Sequence, residues 1–318
     1  MPSPEYIRSH SPEGARNRLI AENLRYLEEK RLKLEDLREV YSEEEVRRDA
    51  ASVRERENRF AHSREGEMGK MAEALFHKNV NSGARIFGER AKATLLSLYD
   101  DYGLSNTANR EKRGAWSDVV VEFFPRTSTG REQNRNPYRF VAGIDVTTNI
   151  APKALDVKTL GMKTALDTGQ LATVKYFKSE ESSFNYRYTG ALHKIPRAMI
   201  AMDSDSTWQL AELTDRAETG EGKAEDMIRT SPLARVALAE LLIQFDAFRE
   251  YAKRVVRDTE AERKFSEGVA RVAEIVKEKG LTLQQLSDRV IVANPALKEL
   301  AKALLRNSFR VRSPTDIA

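Results

Sequence analysis

WSDVVVEFFP (116–125) and YRFVAGIDVTTN (138–149) decide the fold. Both are β-branched and aromatic runs of strand length. The stretch between them, TSTGREQNRNP (127–137), is polar and rich in turn formers. Together they predict two strands of a hairpin with a long loop. Strand alternation puts Phe140, Ala142, Ile144 and Val146 on one face, a clean core face. Val141, Gly143, Asp145 and Thr147 take the other. A carboxylate inside an apolar strand is costly to bury unless it is paired or bound to metal. Asp145 therefore points away from the core, beside Gly143, which leaves space. Antiparallel pairing brings the start of one strand to the end of the other, and so Asp118 near Asp145. Two neighbouring carboxylates repel each other and make a natural divalent-cation site. Glu122, two pleats from Asp118 on the same face, reads as a surface glutamate rather than a further ligand.

Working outward, residues 151–169 predict a helix, with Pro152 near its start and Gly169 past its end. LATVKYF (171–177) and IPRAMIAMD (195–203) predict a third and a fourth strand. The alternating ESSFNYRYTG (181–190) fits a strand or edge hairpin; its Phe184, Tyr186 and Tyr188 beside Arg187 also suit stacking on bases. The segment after Asp203 opens a helix capped by Ser or Asp. From about 230 onward the pattern is helical, with Phe245 and Phe248 on one apolar stripe and Phe265, Val269, Val272 and Val276 on the next. Asn294-Pro295 caps a last helix. Upstream, 67–102 reads as helical, with Gly83 and Gly88 as interruptions. In the Arg/Glu-rich 16–66, Ile20, Leu27, Leu34 and Tyr41 recur every seven residues, but the second apolar heptad position fails after Leu24. That predicts a long surface helix or helical hairpin, with Ser42 and Glu45 as a capping box for a second helix, and leaves a homodimer through helical segments as the lesser expectation.

The expected fold class is thus α/β: a small mixed sheet, in helix-strand-strand-helix-strand order, within a mostly helical protein with long N- and C-terminal helices. The expected organisation is a charged helical extension (1–66), an α/β core (67–215) and a helical region (216–318).

Composition narrows the chemistry. The 318 residues contain no cysteine and four histidines, which excludes disulfides, thiol nucleophiles and iron–sulfur sites, and leaves little room for a histidine-rich metal site. No apolar run reaches the length of a membrane span, and the N-terminus lacks the apolar stretch of a signal peptide, so a cytoplasmic protein is expected. No Gly-rich phosphate loop and no nucleophile elbow appears. The net charge of +4 is concentrated: residues 110–200 carry 15 basic against 9 acidic side chains. A basic middle suits a phosphate-backbone ligand.

At this point the residues resemble the PD-(D/E)XK nuclease superfamily. Its core runs helix, three strands, helix, strand; an acidic residue opens the second strand, and an acidic residue, any residue and lysine follow on the third. Ser117-Asp118 stands for the first element and Asp145-Val146-Thr147 for the second, 27 positions on. The resemblance covers roughly residues 84–178. It implies Mg²⁺ or Mn²⁺ on Asp118 and Asp145, with a glutamate of the preceding helix. Glu89 is the preferred match there and Glu73 the weaker one. Thr147 occupies the lysine position. Some family members carry that lysine on the following helix, which selects Lys163 ahead of Lys158, with Lys175 as a third option. The implied function is hydrolysis of phosphodiester bonds in DNA. Arg126, Arg131, Arg135, Arg139, Lys175 and Arg187 would contact nucleic acid. The alternative is a non-catalytic nucleic-acid-binding or assembly protein that uses a nuclease-like core as a platform. An unrelated α/β enzyme using Asp203 and Asp205 is a third possibility.

Overall fold

The two aspartate strands pair as their sequences predict. In the computed structural model, which describes residues 12–60, 64–82, 84–101, 117–124, 139–181 and 186–317, β2 (Val119–Phe123) runs antiparallel to β3 (Phe140–Thr147), with Val119 opposite Ile144 and Phe123 opposite Phe140. A strand not foreseen from sequence, β1 (Ala91–Leu95), pairs antiparallel with the other side of β2. Its residues, AKATL, are mostly helix formers, so local propensity pointed the wrong way and strand pairing overrode it. β6 (Arg197–Ala201) joins β3 in parallel, giving the order β1-β2-β3-β6. The connection from β3 to β6 contains α4 (Pro152–Asp167) and then a separate antiparallel hairpin of β4 (Ala172–Glu181) and β5 (Tyr186–Ile195). A parallel pair needs such a crossover. The mixed α/β class is as expected.

The remaining α-helices longer than one turn are, in chain order, α1 (Pro12–Lys30), α2 (Glu43–Phe60), α3 (Arg64–Asn81), α5 (Ser204–Glu218), α6 (Ala224–Thr230), α7 (Pro232–Tyr251), α8 (Thr259–Glu278) and α9 (Pro295–Arg306). Several of their ends follow the expected caps: Asp203 accepts from the Ser206 amide, and Asn294 from Ala296 and Leu297. The heptad residues of the N-terminal segment are used inside the chain. Leu27 joins the main core, while Leu34 and Tyr41 belong to a smaller cluster with Tyr99 and Tyr176.

The sheet has two unlike faces. Val119, Val121, Phe123, Phe140, Ala142, Ile144 and Val146 are buried in the main core with Phe76 of α3, Phe245 of α7 and Phe265 of α8. Each Val, Ile and Phe among them contributes about 1.5–3 kcal/mol through burial. That core also takes residues from α1 and α9, so all three sequence segments share it. On the opposite face, Val120 and Val141 pack under the β4–β5 hairpin, against Val174, Phe177, Leu192 and Ile195. Asp118 and Asp145 belong by alternation to this second face.

Both outer edges of the sheet are sealed by side-chain amides. On β1, the Ala93 amide donates to Asn81 Oδ1 (2.9 Å) and Asn81 Nδ2 donates to the Ala93 carbonyl (2.8 Å). On β6, the Met199 amide donates to Gln244 Oε1 (2.9 Å) and Gln244 Nε2 donates to the Met199 carbonyl (2.7 Å). One turn earlier on α7, Glu240 accepts from the Ala201 amide (3.1 Å). Each carboxamide pairs with a strand residue as another strand would.

Asn81 also fixes a histidine. Its Oδ1 is committed to an amide, so Nδ2 faces His77 Nε2 at 3.0 Å as a donor. The imidazole proton then sits on Nδ1, donating to Tyr26 Oη at 2.8 Å. Burial lowers the His77 pKa to about 4, below its ordinary 6.5. The unfolded chain therefore takes up this proton first as pH falls. The stability that neutral His77 contributes is complete above about pH 6.5 and is lost on descending to about 4, a change of about 3 kcal/mol. Denaturant unfolding of wild type and His77→Gln across this range should show the gap between them closing as pH falls. A gap independent of pH would contradict the neutral imidazole.

Candidate active site

Extending the β2–β3 register by one residue sets Asp118 opposite Asp145, at the strand ends nearest α4. The Asp118 amide donates to the Ile144 carbonyl (2.9 Å), and Asp118 Oδ2 accepts from the Val146 amide (2.6 Å). Asp118 is partly exposed, whereas Asp145 is buried. Gly143 makes this arrangement possible. A Cβ there would stand 2.4 Å from Ser117 Oγ and 3.5 Å from Arg197 Cγ. Without one, Arg197 of β6 crosses to Ser117 (Nε to Oγ 3.3 Å) beside the carboxylate pair.

Lys158 of α4 completes the pair. Its Nζ donates to both Asp145 oxygens, at 2.6 and 2.8 Å. Lys163 is not brought there. Five positions along a helix turn the side chain by about 140°, and Lys163 instead bonds Asp167 (2.7 Å) and lies over the Tyr251 ring. The preference for Lys163 is thus corrected to Lys158.

The glutamate is corrected in the same way. Glu89 lies in an exposed turn before β1, 85% accessible, with Arg85 at 3.7 Å. Glu73, inside α3, is buried, and its charge is felt at Asp118. Arg31, just past the end of α1, donates to Glu73 Oε1 (2.7 Å), to Asp101 Oδ2 (2.6 Å) and to the Leu96 carbonyl (3.2 Å). Leu96 in turn donates its amide to the Asp118 carbonyl (3.1 Å). Hydrogen bonds and mutual electrostatic influence thus connect Asp118 with Asp145, Glu73, Asp101, Lys158, Arg197 and Arg31.

The electrostatics follow from that crowding. Burial, and then the charges of Asp145, Glu73 and Asp101, hold the Asp118 carboxyl well above the usual range, with Lys158 opposing. Burial also raises Glu73, against the pull of Arg31. Burial alone would lower Lys158, but the charges of Asp145 and Asp118 outweigh it and raise its pKa. The ammonium is thus held charged. Burial lowers Arg197, opposed by the same two aspartates.

Among the described residues, no three His, Asp or Glu side chains form a closed metal cage. The donors suit a different kind of site. Mg²⁺ keeps most of its waters and takes only one or two protein carboxylates. Asp118 and Asp145 supply that oxygen set. Asp118 Oδ1 makes no hydrogen bond among the described residues, and Asp145 would have to share its oxygens with Lys158. The residues fit a hydrated Mg²⁺ or Mn²⁺.

The remaining expected residues fall elsewhere. Glu122 is buried, not on the surface, and is ion-paired to Arg139, whose guanidinium lies over the rings of Tyr188 (4.9 Å) and Phe177 (5.9 Å). Arg139 is thereby committed to the hairpin rather than offered to a nucleic-acid backbone. Lys175 bonds Glu45 (2.6 Å) and Asp49 (2.5 Å) and sits against Tyr41, Tyr99 and Tyr176, so it pins β4 to α2. Arg187 is exposed on β5, opposite Glu180. Arg126, Arg131 and Arg135 lie outside the described residues, as does Phe184. Asp203 caps α5.

Arg31, Asp101 and Arg197 were not singled out from sequence. Arg197 carried the same signal as Asp145, a charge within an apolar strand. Arg31 carried none, being one of many basic residues on charged helices. Neither a family model nor a curated protein nor a solved structure matches this chain.

Proposed function

We propose that the protein is a divalent-cation-dependent nuclease of PD-(D/E)XK type that hydrolyses phosphodiester bonds in DNA. The observation that carries this reading is Lys158. A lysine from the helix after the second acidic strand reaches the Asp145 carboxylate, as a displaced family lysine would. The order helix α3, three antiparallel strands, helix α4, parallel strand β6 supports it.

Asp118 and Asp145 would hold Mg²⁺ or Mn²⁺. Bound there, the ion would polarise the scissile phosphodiester and acidify an attacking water. Lys158, held protonated, acts on developing negative charge rather than as a base. The Asp118 amide on the Ile144 carbonyl and the Val146 amide on Asp118 Oδ2 keep that carboxylate in place.

One observation favours the non-catalytic platform. Asp145 is already neutralised by Lys158, and Glu73 by Arg31. A cleavage assay separates the two. It uses linear, circular and single-stranded DNA with Mg²⁺ or Mn²⁺, and EDTA as control. Lys158→Met should lower the rate about 10²–10³-fold, while Lys163→Met should leave it within about twofold. Equal effects of the two substitutions would remove Lys158 from the chemistry. Salt-sensitive DNA binding without any cleavage would favour the platform.

A further inference from the structure

A cavity that shares no residue with the proposed site lies where α5, α6 and α7 meet β6. It measures about 30 Å³ and is walled by Phe76 of α3, Ile200 of β6, Leu210 of α5, Ile228 of α6 and Val236 of α7. Four polar side chains also reach it: Ser206, Ser231, Asn294 and Glu240. Three of them are spent on helix ends. Ser206 Oγ donates to Asp203 (3.1 Å), Ser231 Oγ donates to the Ile228 carbonyl (2.7 Å), and Asn294 Oδ1 accepts from the Ala296 and Leu297 amides (3.0 and 3.1 Å). Glu240 differs. It is fully buried, and its Oε2 accepts from the Ala201 amide, but its Oε1 has no hydrogen-bond partner among the described residues. Burial holds this carboxyl well above the ordinary range, so the acid is neutral. With Oε2 accepting, the proton sits on Oε1. One buried donor is left with only the cavity to serve.

We propose that this cavity is a binding site for a small neutral organic molecule, a short-chain ketone or alcohol, whose single oxygen accepts a hydrogen bond from Glu240. The site stands independently of the nuclease reading. Its volume would admit about two waters, but a buried water is held by about two to four polar partners, and here one is free. A molecule with an apolar body and one acceptor oxygen satisfies that donor and covers the apolar walls at once.

The test titrates butanone into the full chain carrying isotope-labelled isoleucine methyl groups, read by NMR. Ile86, Ile200 and Ile228 line the cavity and should shift saturably at about millimolar ligand. Ile144 and Ile317, buried elsewhere, should not move. Glu240→Gln keeps a donor and should bind within about threefold of wild type. Glu240→Met removes the donor at similar length and should weaken binding about tenfold. Ala237→Leu fills the cavity from the same helix and should abolish the shifts. If Glu240→Met does not fold, Ala237→Leu decides. Shifts that survive Ala237→Leu, or equal binding by the two Glu240 variants, would overturn the proposal. So would the absence of saturable shifts in wild type, which would leave the cavity to water.

Discussion

Asp145→Asn is expected to abolish Mg²⁺-dependent cleavage, by more than about 10³-fold, while leaving a folded protein. Three consequences of the geometry converge on this residue. It loses a ligand charge, it loses the carboxylate that holds Lys158, and it leaves Lys158 and Arg197 with Asp118 as their remaining close acidic partner. Breaking one side of a buried ion pair costs about 3–5 kcal/mol. Here part of that is offset, because Asp118 is relieved of a like charge that raises its pKa. A moderate fall in melting temperature with complete loss of cleavage is the expected pair of results. Cleavage that survives in Asp145→Asn would place the chemistry elsewhere.

The largest effect on stability is expected from Gln244→Met. The change roughly keeps side-chain length and volume, so what it removes is the two hydrogen bonds to Met199, together with one within α7 to the Glu240 carbonyl. Met199 and Gln244 are both fully buried. A buried amide or carbonyl left without a partner costs about 1–3 kcal/mol, so the pair should cost about 3–5 kcal/mol. In melting temperature that is on the order of 10 °C. A loss below about 1 kcal/mol in denaturant unfolding would show that water or a shifted Glu240 takes over the edge. Glu240 is poorly suited to do so. Its Oε2 already accepts from the Ala201 amide, one pleat along the strand.

The strands that carry the aspartates were legible because their signal is local. Alternation around Asp145 separated a core face from a polar one, and Gly143 marked the gap that Ser117 and Arg197 fill. β1 was not legible, since Ala91–Leu95 has no strand preference of its own and is made a strand by β2 and Asn81. The choice of Lys163 over Lys158 failed for a geometric reason. Both lie on the same helix, and only its rotation about its axis, set by packing of Leu155, Met162 and Leu166, decides which lysine faces β3. Glu73 against Glu89 was a question of where a helix ends. Reading the helix through to residue 102 favoured the glutamate nearer the strands, but α3 stops at Asn81 and leaves Glu89 in a turn. Arg31 could not be read at all, because its partners lie some 40 and 70 positions away.

The two amide seals have a consequence for how anything else can join this sheet. An open edge strand recruits extended peptides, and copies of itself, through its unpaired backbone groups. Here the middle residue of each outer strand is already saturated, by Asn81 on one side and Gln244 on the other. Four strands is therefore the finished width. β-Augmentation and edge-to-edge aggregation are both blocked in the native state, and a partner must come to the faces, the strand ends or the helices.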